Sequence, residues 1–355
     1  MAATIKDVAR LANVSVATVS RLVNKTGNVR AEAAERIQNA IAELGFRPNA
    51  VGRSLKTART KALGVVTPSI SNPVFAETVA GVSEQARALG YNLMLTVTDY
   101  DLDGEETAVG ALMGYQVDGL IATVADPESS PSLDMLEAAS VPYTLVYNQP
   151  SARGRPTVTV DNVAAGRDVA RAFAAAGHRR FGMIAGSFKA SDRSRARQAG
   201  FTRELEEAGF QPPTVREVDF VDGDVDEVVA DLFQAGGDAP TALFCSNDLL
   251  AISVIGALRR RGLRVPEDAS VIGFDGISAG THLSPTLATV VQPSREMGRV
   301  AAQQLLGHLS GHAPPETVLL PHHLRLGESA GQAPKPVPAD NQDSSQPVQK
   351  RKTAP

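Results

Sequence analysis

The chain has one cysteine, Cys245, in 355 residues. That leaves no partner for an internal disulfide and excludes a cysteine-rich metal site. Its setting in the apolar run TALFC predicts a buried, inert thiol. Nowhere do 18 apolar residues run uninterrupted, so no membrane-spanning helix is expected. The start, MAATIKDV, has no apolar core behind a basic stretch. Without an export signal the expected location is the cytoplasm, in association with the nucleoid. Catalytic signatures are missing too. His178 stands in AAAGHRR at a helix-to-strand junction, and His322 and His323 lie together in PHH; neither place has the spacing of a metal site. There is no Walker A motif, and the turns GSFKAS and GFDGIS lack GxGxxG. No metal, cofactor or enzymatic turnover is therefore expected.

What is present is enough length for two or three domains, and a body with an α/β rhythm. From Ala62, the apolar runs LGVV, YNLMLTV, DGLIATV, YTLVY, RFGMIAG, TALFC and SVIGF alternate with amphipathic segments. Those segments begin near Asn72, Asp103, Pro131, Asn162, Asp192, Gly223, Asp248 and Ser294. Continuous apolar strands joined through helices make parallel sheets covered on both faces. In the first such helix Phe75, Val79, Val82, Ala86 and Leu89 fall on one stripe, and Gly90 closes it. About seven strands covered in this way predict two doubly wound lobes, with ligand bound beyond the strands' carboxyl ends where the lobes meet.

Ahead of that body, TIKDVARLANVSVATVSRLVN reads as two short helices around a tight turn at Asn13, an all-α helix-turn-helix head. Thr4 and Asp7 fit a capping box that starts the first helix at Ile5, whose apolar stripe is Ile5, Val8, Ala9 and Ala12. Ser15 caps the second helix. Val19, Leu22 and Val23 point inward there, leaving Val16, Ala17, Ser20 and Arg21 on or near the outer face. A third helix, Ala31 to Leu44, offers Ala34, Ile37, Ile41 and Leu44 as packing surface and stops at Gly45. Arg30 stands at its N-cap, a poor cap or a phosphate contact. Through Lys61 there are eleven cations against four anions, a charge of +7; because the whole chain carries −4, the remainder carries −11. That asymmetry suits a head on DNA and a body that stays off it. A three-helix domain with a solvated basic face is the bland alternative.

TIKDVARLANVSVATVSRLVN, followed by ELGFRPNAVGRSLKT, closely resembles the head of the lactose-repressor (LacI/GalR) family of bacterial transcription regulators. PSISNPVFAE, QVDGLI, VTVDN, GHRRFGMIAG, ALFCSNDLLA, GLRVPEDASVIGFD and SPTLATVVQP carry the resemblance through about residue 328. It implies a head over residues 1–46, and a hinge over 47–61 that folds on operator DNA and wedges Leu55 into the minor groove. Gly52 costs about 1 kcal/mol relative to alanine in that hinge, so alone it is expected to be disordered. It implies a body over 62–330 like that of type I periplasmic sugar-binding proteins, crossing between lobes near Asp161, Gln292 and Pro321. The DNA-facing set is then Thr4, Ser15, Val16, Ala17, Thr18, Ser20, Arg21, Asn24, Lys25, Leu55 and Lys56. The effector set is Ser71, Val74, Phe75, Asp161, Arg193, Arg197, Phe220, Asn247 and Asp275.

Those residue types suit a polyhydroxylated ligand. A carboxylate such as Asp275 accepts from two vicinal hydroxyls, Arg197 donates a planar fork, and Phe75 or Phe220 offers an apolar face. The plain alternatives are a surface ion pair for Arg197 and a turn cap for Asp275. Val74 departs from the aromatic that the family often has there. Arg193 and Arg195 accompany Arg197 in SDRSRAR, either for an anionic ligand such as a sugar acid or phosphate, or as a solvated helix start. Residues 331–355 are rich in Pro, Gln, Ser and Asp and are expected to form a disordered tail. The expectation is a homodimeric, effector-controlled regulator, most simply a repressor, on a near-palindromic operator. Two rivals are a solute receptor, which would need an export signal and no basic head, and an enzyme, which would need a phosphate loop or dinucleotide turn.

Overall fold

A computed structural model describes residues 3–24, 26–47, 59–220, 223–234 and 239–334. The head has α1 (Ile5–Leu11), α2 (Val16–Asn24) and α3 (Ala31–Leu44). The capping box forms at the start of α1: Asp7 N–H donates to Thr4 Oγ1 while Thr4 N–H donates to Asp7 Oδ2 at 3.0 Å. Asn13 makes the turn at φ 50°, a left-handed conformation that asparagine tolerates. Val8, Ala9, Ala12, Val19, Ile37 and Ala40 form the small core. Ala40 takes the fully buried place that the sequence pattern gave to Ala34, which is only half-buried. Gly45 ends α3 at φ 57°, and Arg30 makes no side-chain cap bond at its start.

The body is built on two six-stranded sheets. The strands are β1 (Ala62–Thr67), β2 (Asn92–Val97), β3 (Gly119–Ala122), β4 (Tyr143–Val146), β5 (Thr157–Val160), β6 (Phe181–Gly186), β7 (Thr214–Val218), β8 (Ala242–Cys245), β9 (Ser270–Asp275), β10 (Ala288–Val291), β11 (Val318–Leu320) and β12 (His323–Arg325). The helices are α4 (Pro73–Ala88), α5 (Leu102–Gly114), α6 (Pro131–Ala138), α7 (Asn162–Ala175), α8 (Asp192–Glu207), α9 (Val225–Leu232), α10 (Asp248–Arg260) and α11 (Ser294–Leu309). Lobe one has strand order β11-β5-β4-β3-β1-β2 and lobe two β12-β10-β9-β8-β6-β7, all parallel except β12 against β10. The chain passes between lobes three times: after β5 into α7, after β10 into α11, and between β11 and β12.

All the expected helices form, but there are five strands more than the seven apolar runs suggested. β5, β7, β10, β11 and β12 escaped because TVTV, TVREV and the three-residue edges lack a continuous apolar run, although β5 and the start of β10 are fully buried. Leu89, placed on the apolar stripe of α4, is instead exposed, and Val74 and Thr78 are buried on that helix.

Each crossover helix locks onto the first helix of the lobe it enters. In lobe one, a Cβ on Gly81 would stand 2.0 Å from Arg295 O, and one on Gly298 would stand 2.1 Å from Thr78 O. In lobe two, Gly166 and Gly200 meet in the same way, at 2.2 Å from Arg197 O and 2.0 Å from Val163 O. Only glycine permits such backbone approach. Both contacts join the first turns of the crossover helices α11 and α7 to the middle of α4 and α8.

Candidate functional site

Between the lobes, beyond the carboxyl ends of the strands, a cavity is lined by residues of both. Helix starts supply much of its polar wall. Asn72 caps α4 by accepting from Val74 N–H at 3.1 Å, Ser191 caps α8 from Ser194 N–H at 3.2 Å, and Asn247 caps α10 from Leu250 N–H at 2.8 Å. The cavity's volume is about 30 Å³, room for one or two waters. Tyr100 of lobe one and Phe220 of lobe two close it by stacking, with centroids 3.9 Å apart and planes within 6°. Tyr100 and its neighbour Asp99 hold left-handed backbone, φ 61° and 49°, which turns the chain from β2 into α5.

Two buried charges oppose each other across this space. Arg197, on α8, donates from Nε to Asn162 Oδ1 at 2.8 Å and from Nη1 to Ser246 O at 2.5 Å, with its guanidinium carbon 3.3 Å from the Phe274 ring centroid. Burial pulls its pKa down to about 10, against the charge of Asp275, so it stays charged at neutral pH. Asp275 ends β9 at φ 123° and accepts from Gln292 Nε2 at 2.7 Å and from Asn72 Nδ2 at 3.5 Å. Burial pushes its carboxyl up to about 6, a rise that Arg197 partly opposes. Neither plain alternative fits. Among the described residues Arg197 makes no ion pair, and the turn after β9 is capped by Asp248, whose Oδ2 accepts from Gly276 and Ile277 N–H, both at 2.8 Å.

A second set of bonds ties lobe to lobe. Asp192, at the start of α8, accepts from Gln149 N–H at 2.7 Å and Asn148 Nδ2 at 3.0 Å, and its own N–H donates to Ala125 O at 2.9 Å. Arg193 Nη1 donates to Val124 O at 3.1 Å, and Arg195 pairs with Asp126 at 2.7 Å on the surface. The same loop is held from inside lobe one by buried Glu105, whose Oε1 accepts from Ala125 N–H at 2.6 Å and whose carboxyl burial raises to about 7.

Residues 4–49 match the bacterial regulatory proteins, lacI family, and residues 170–330 match a periplasmic binding protein-like domain. Catabolite control protein A of Priestia megaterium is 33% identical over 335 residues, which cover 93% of this chain and 99% of that one. The chain belongs to the lacI family of bacterial regulatory proteins. An HTH-type transcriptional repressor, PurR, of Photobacterium profundum is 36% identical over 86% of this chain and 91% of its own. A lac repressor dimer bound to operator and an anti-inducer superposes with a TM-score of 0.82 at 28% identity, covering 93% of this chain and all of that one. This lacI-family member is a DNA-binding transcription regulator under effector control. No helix among the described residues is long and apolar enough to cross a membrane.

Within this regulator's cavity wall stand Val74, Phe75, Arg193, Arg197, Phe220, Asn247 and Asp275 of the expected effector set. Ser71 and Asp161 do not reach it. Ser71 is exposed and bonds Ser69 at 3.0 Å, and Asp161 spends Oδ1 capping α7 from Ala164 N–H at 2.8 Å. Sequence reasoning missed Asn72, Tyr100, Tyr147, Ser191, Ser194, Ser246 and Gln292, which also line the cavity. The N-cap pattern before α4 and α8 could have found Asn72 and Ser191; nothing in the sequence marks Tyr100, whose turn lies far from Phe220 along the chain. Cys245 is fully buried, its thiol pushed up by burial. On the head, Thr4, Ser15, Val16, Ala17, Arg21 and Asn24 are exposed, and Thr18 and Ser20 are half-buried. Lys25, Leu55 and Lys56, with most of the hinge, lie outside the described residues. Residues 331–334, counted with the tail, pack on lobe two: Gly331 O faces His178 Nε2 at 3.2 Å, and Ala333 N–H donates to Ala176 O at 2.9 Å.

Proposed function

We propose that this regulator works as a homodimeric repressor on a near-palindromic operator, and that its effector is a small polyhydroxylated molecule, a sugar or sugar derivative, bound in the cavity between the lobes. One observation carries the effector reading: Arg197 and Asp275 are both buried at the cavity and do not pair with each other. Such a cavity suits a ligand that both donates and accepts, as a vicinal diol does. Phe75, Phe220 and Tyr100 add apolar faces for ring C–H groups. The DNA face is the exposed side of α2, with Arg21 as guanine reader and Val16 and Ala17 limited to apolar contact, for instance with a thymine methyl. Effector binding changes how the lobes sit against each other, and with it whether two hinges can fold side by side on DNA, so the two ligands are thermodynamically coupled.

A thermal-shift screen against sugars, sugar acids, polyols and nucleobases, with and without selected operator DNA, tests this reading. A hit should lose at least tenfold in affinity in Asp275→Ala and Arg197→Ala, since about 1.4 kcal/mol is tenfold. If the ligand induces, these variants become repressors that cannot be released; if it corepresses, they cannot repress. Normal binding of every hit by both variants sinks the cleft assignment.

A further inference from the structure

The cavity wall has basic hydrogen-bond donors to spare. Arg193 uses only Nη1, toward Val124 O at 3.1 Å and Asp192 Oδ1 at 3.2 Å, leaving Nε and Nη2 without a partner among the described residues. Arg197 likewise leaves Nη2 unspent. Among the described residues the hydroxyls of Tyr100 and Ser194 make no side-chain hydrogen bond, and Asn247 uses its carbonyl oxygen for the α10 cap, leaving Nδ2 to donate. Against them stand the Asp275 carboxylate, already receiving Gln292 and Asn72, the Gln292 carbonyl oxygen, and the same two hydroxyls, which accept as well as donate. Asp192 pairs with Arg193 at 3.2 Å and offsets part of its charge, but it offers no free acceptor to a ligand, because its two oxygens also receive Asn148 and Gln149. Guanidinium donors left over on the cavity wall favour a ligand that brings acceptors.

The three arginines of SDRSRAR separate cleanly. Arg195 is outside, half-exposed on Asp126, so the cluster is not simply a solvated helix start. Arg193 and Arg197 are both about 95% buried on the cavity wall. Resting on the effector reading above, we infer that the effector is an anionic polyhydroxy compound, with its carboxylate or phosphate received by Arg193 and the Tyr100 hydroxyl and its hydroxyls turned to Asp275. Its negative end must lie away from Asp275, where like charges would repel. Guanidinium paired with carboxylate or phosphate in a site sheltered from water is among the stronger polar contacts proteins make. Tyr100 then has two roles at once: its ring closes the mouth on Phe220, and its hydroxyl faces the ligand.

Calorimetric titration with matched probes tests this. D-gluconate against D-glucitol, D-glucuronate against D-glucose, and D-glucose 6-phosphate against D-glucose each differ by one anionic group, and the first two pairs distinguish a carboxylate from the phosphate of the third. At least one anion should bind tenfold or more tightly than its neutral counterpart. Arg193→Gln should erase that advantage, Arg193→Lys should keep part of it, and Tyr100→Phe, which preserves the ring stack, should weaken the anion severalfold while leaving the neutral probe unchanged. Equal binding of charged and neutral partners, undiminished anion binding by Arg193→Gln, or silence from every anion overturns the inference. Neutral probes that bind and are lost in Asp275→Asn would leave the cleft reading standing while this inference fails; probes indifferent to Asp275→Asn would remove both.

Discussion

Asp275→Asn should make the free protein more stable and its effector site useless. In the fold, burial raises this carboxyl from 3.8 to about 6, so between those values folded protein binds more protons than unfolded protein. For a carboxylate with a raised pKa, stability is greatest below about pH 4, falls as pH rises through the window from 3.8 to about 6, and is level above it. A shift of about two units corresponds to roughly 3 kcal/mol of charge penalty at neutral pH. Asparagine removes that charge while keeping an oxygen for the Gln292 bond at 2.7 Å and sacrificing only the long contact with Asn72 at 3.5 Å. Allowing for the lost attraction to Arg197 and that contact, the gain should be about 1–3 kcal/mol above pH 6, at roughly 2–4 °C of melting temperature per kcal/mol. Near pH 4 the gain should vanish. Scanning calorimetry of ligand-free wild type and variant at pH 4.5 and 7.5 reads the difference directly, and titration with an effector should show at least tenfold weaker binding. A variant less stable than wild type by the same margin at both pH values would refute the reasoning, because the carboxylate would then stabilise the fold and not burden it.

Arg21→Ala should weaken operator binding by about 1–3 kcal/mol and relax preference at one base position per half-site; gel shifts showing equal loss on operator and random DNA would make Arg21 a phosphate contact. Gly298→Ala forces a Cβ toward Thr78 O and should cost about 1–3 kcal/mol by prising α11 from α4, with a weaker effector site because α4 carries Val74 and Phe75; an unchanged urea midpoint would contradict it. His178 is held neutral by burial, its pKa below the ordinary 6.5, so its contribution is complete above about pH 6.5 and is lost as pH falls through the folded value. His178→Gln should therefore flatten the loss of stability between pH 7 and 5 in denaturant titrations, and a parallel pH profile would show that other groups carry that loss.

Local signals made much of this legible. The capping box, the Asn13 turn and Gly45 fixed the ends of the head's helices because each is decided by a few adjacent residues. The buried apolar strands announced themselves, whereas β5 and β7 did not, since Thr and charged residues break the run that marks a strand. In the cavity, Arg197 and Asp275 came from the family resemblance. Asp248 and Tyr100 were invisible because their roles depend on what lies opposite in space: a turn after another strand in one case, an aromatic ring of the other lobe in the other. Ser71 and Asp161 were misplaced because position along the chain does not say which way a side chain at a helix start is spent.

The triple passage between lobes also sets an order of assembly on the ribosome. Lobe one begins at β1, but its core needs Met297, Ala301, Ala302, Leu305 and Leu306 of α11 and the β11 edge, which emerge only after every strand of lobe two but β12. At about 5–20 residues per second, the stretch from β5 to α11 keeps that core waiting on the order of 10 s. Lobe two's first five strands and four helices are meanwhile contiguous in the nascent chain and can close around β6, β8 and β9 first. The space between the lobes is thus framed from its later-encoded side, and a stalled or truncated chain would expose an unroofed apolar sheet, the kind of surface that chaperones hold and proteases clear.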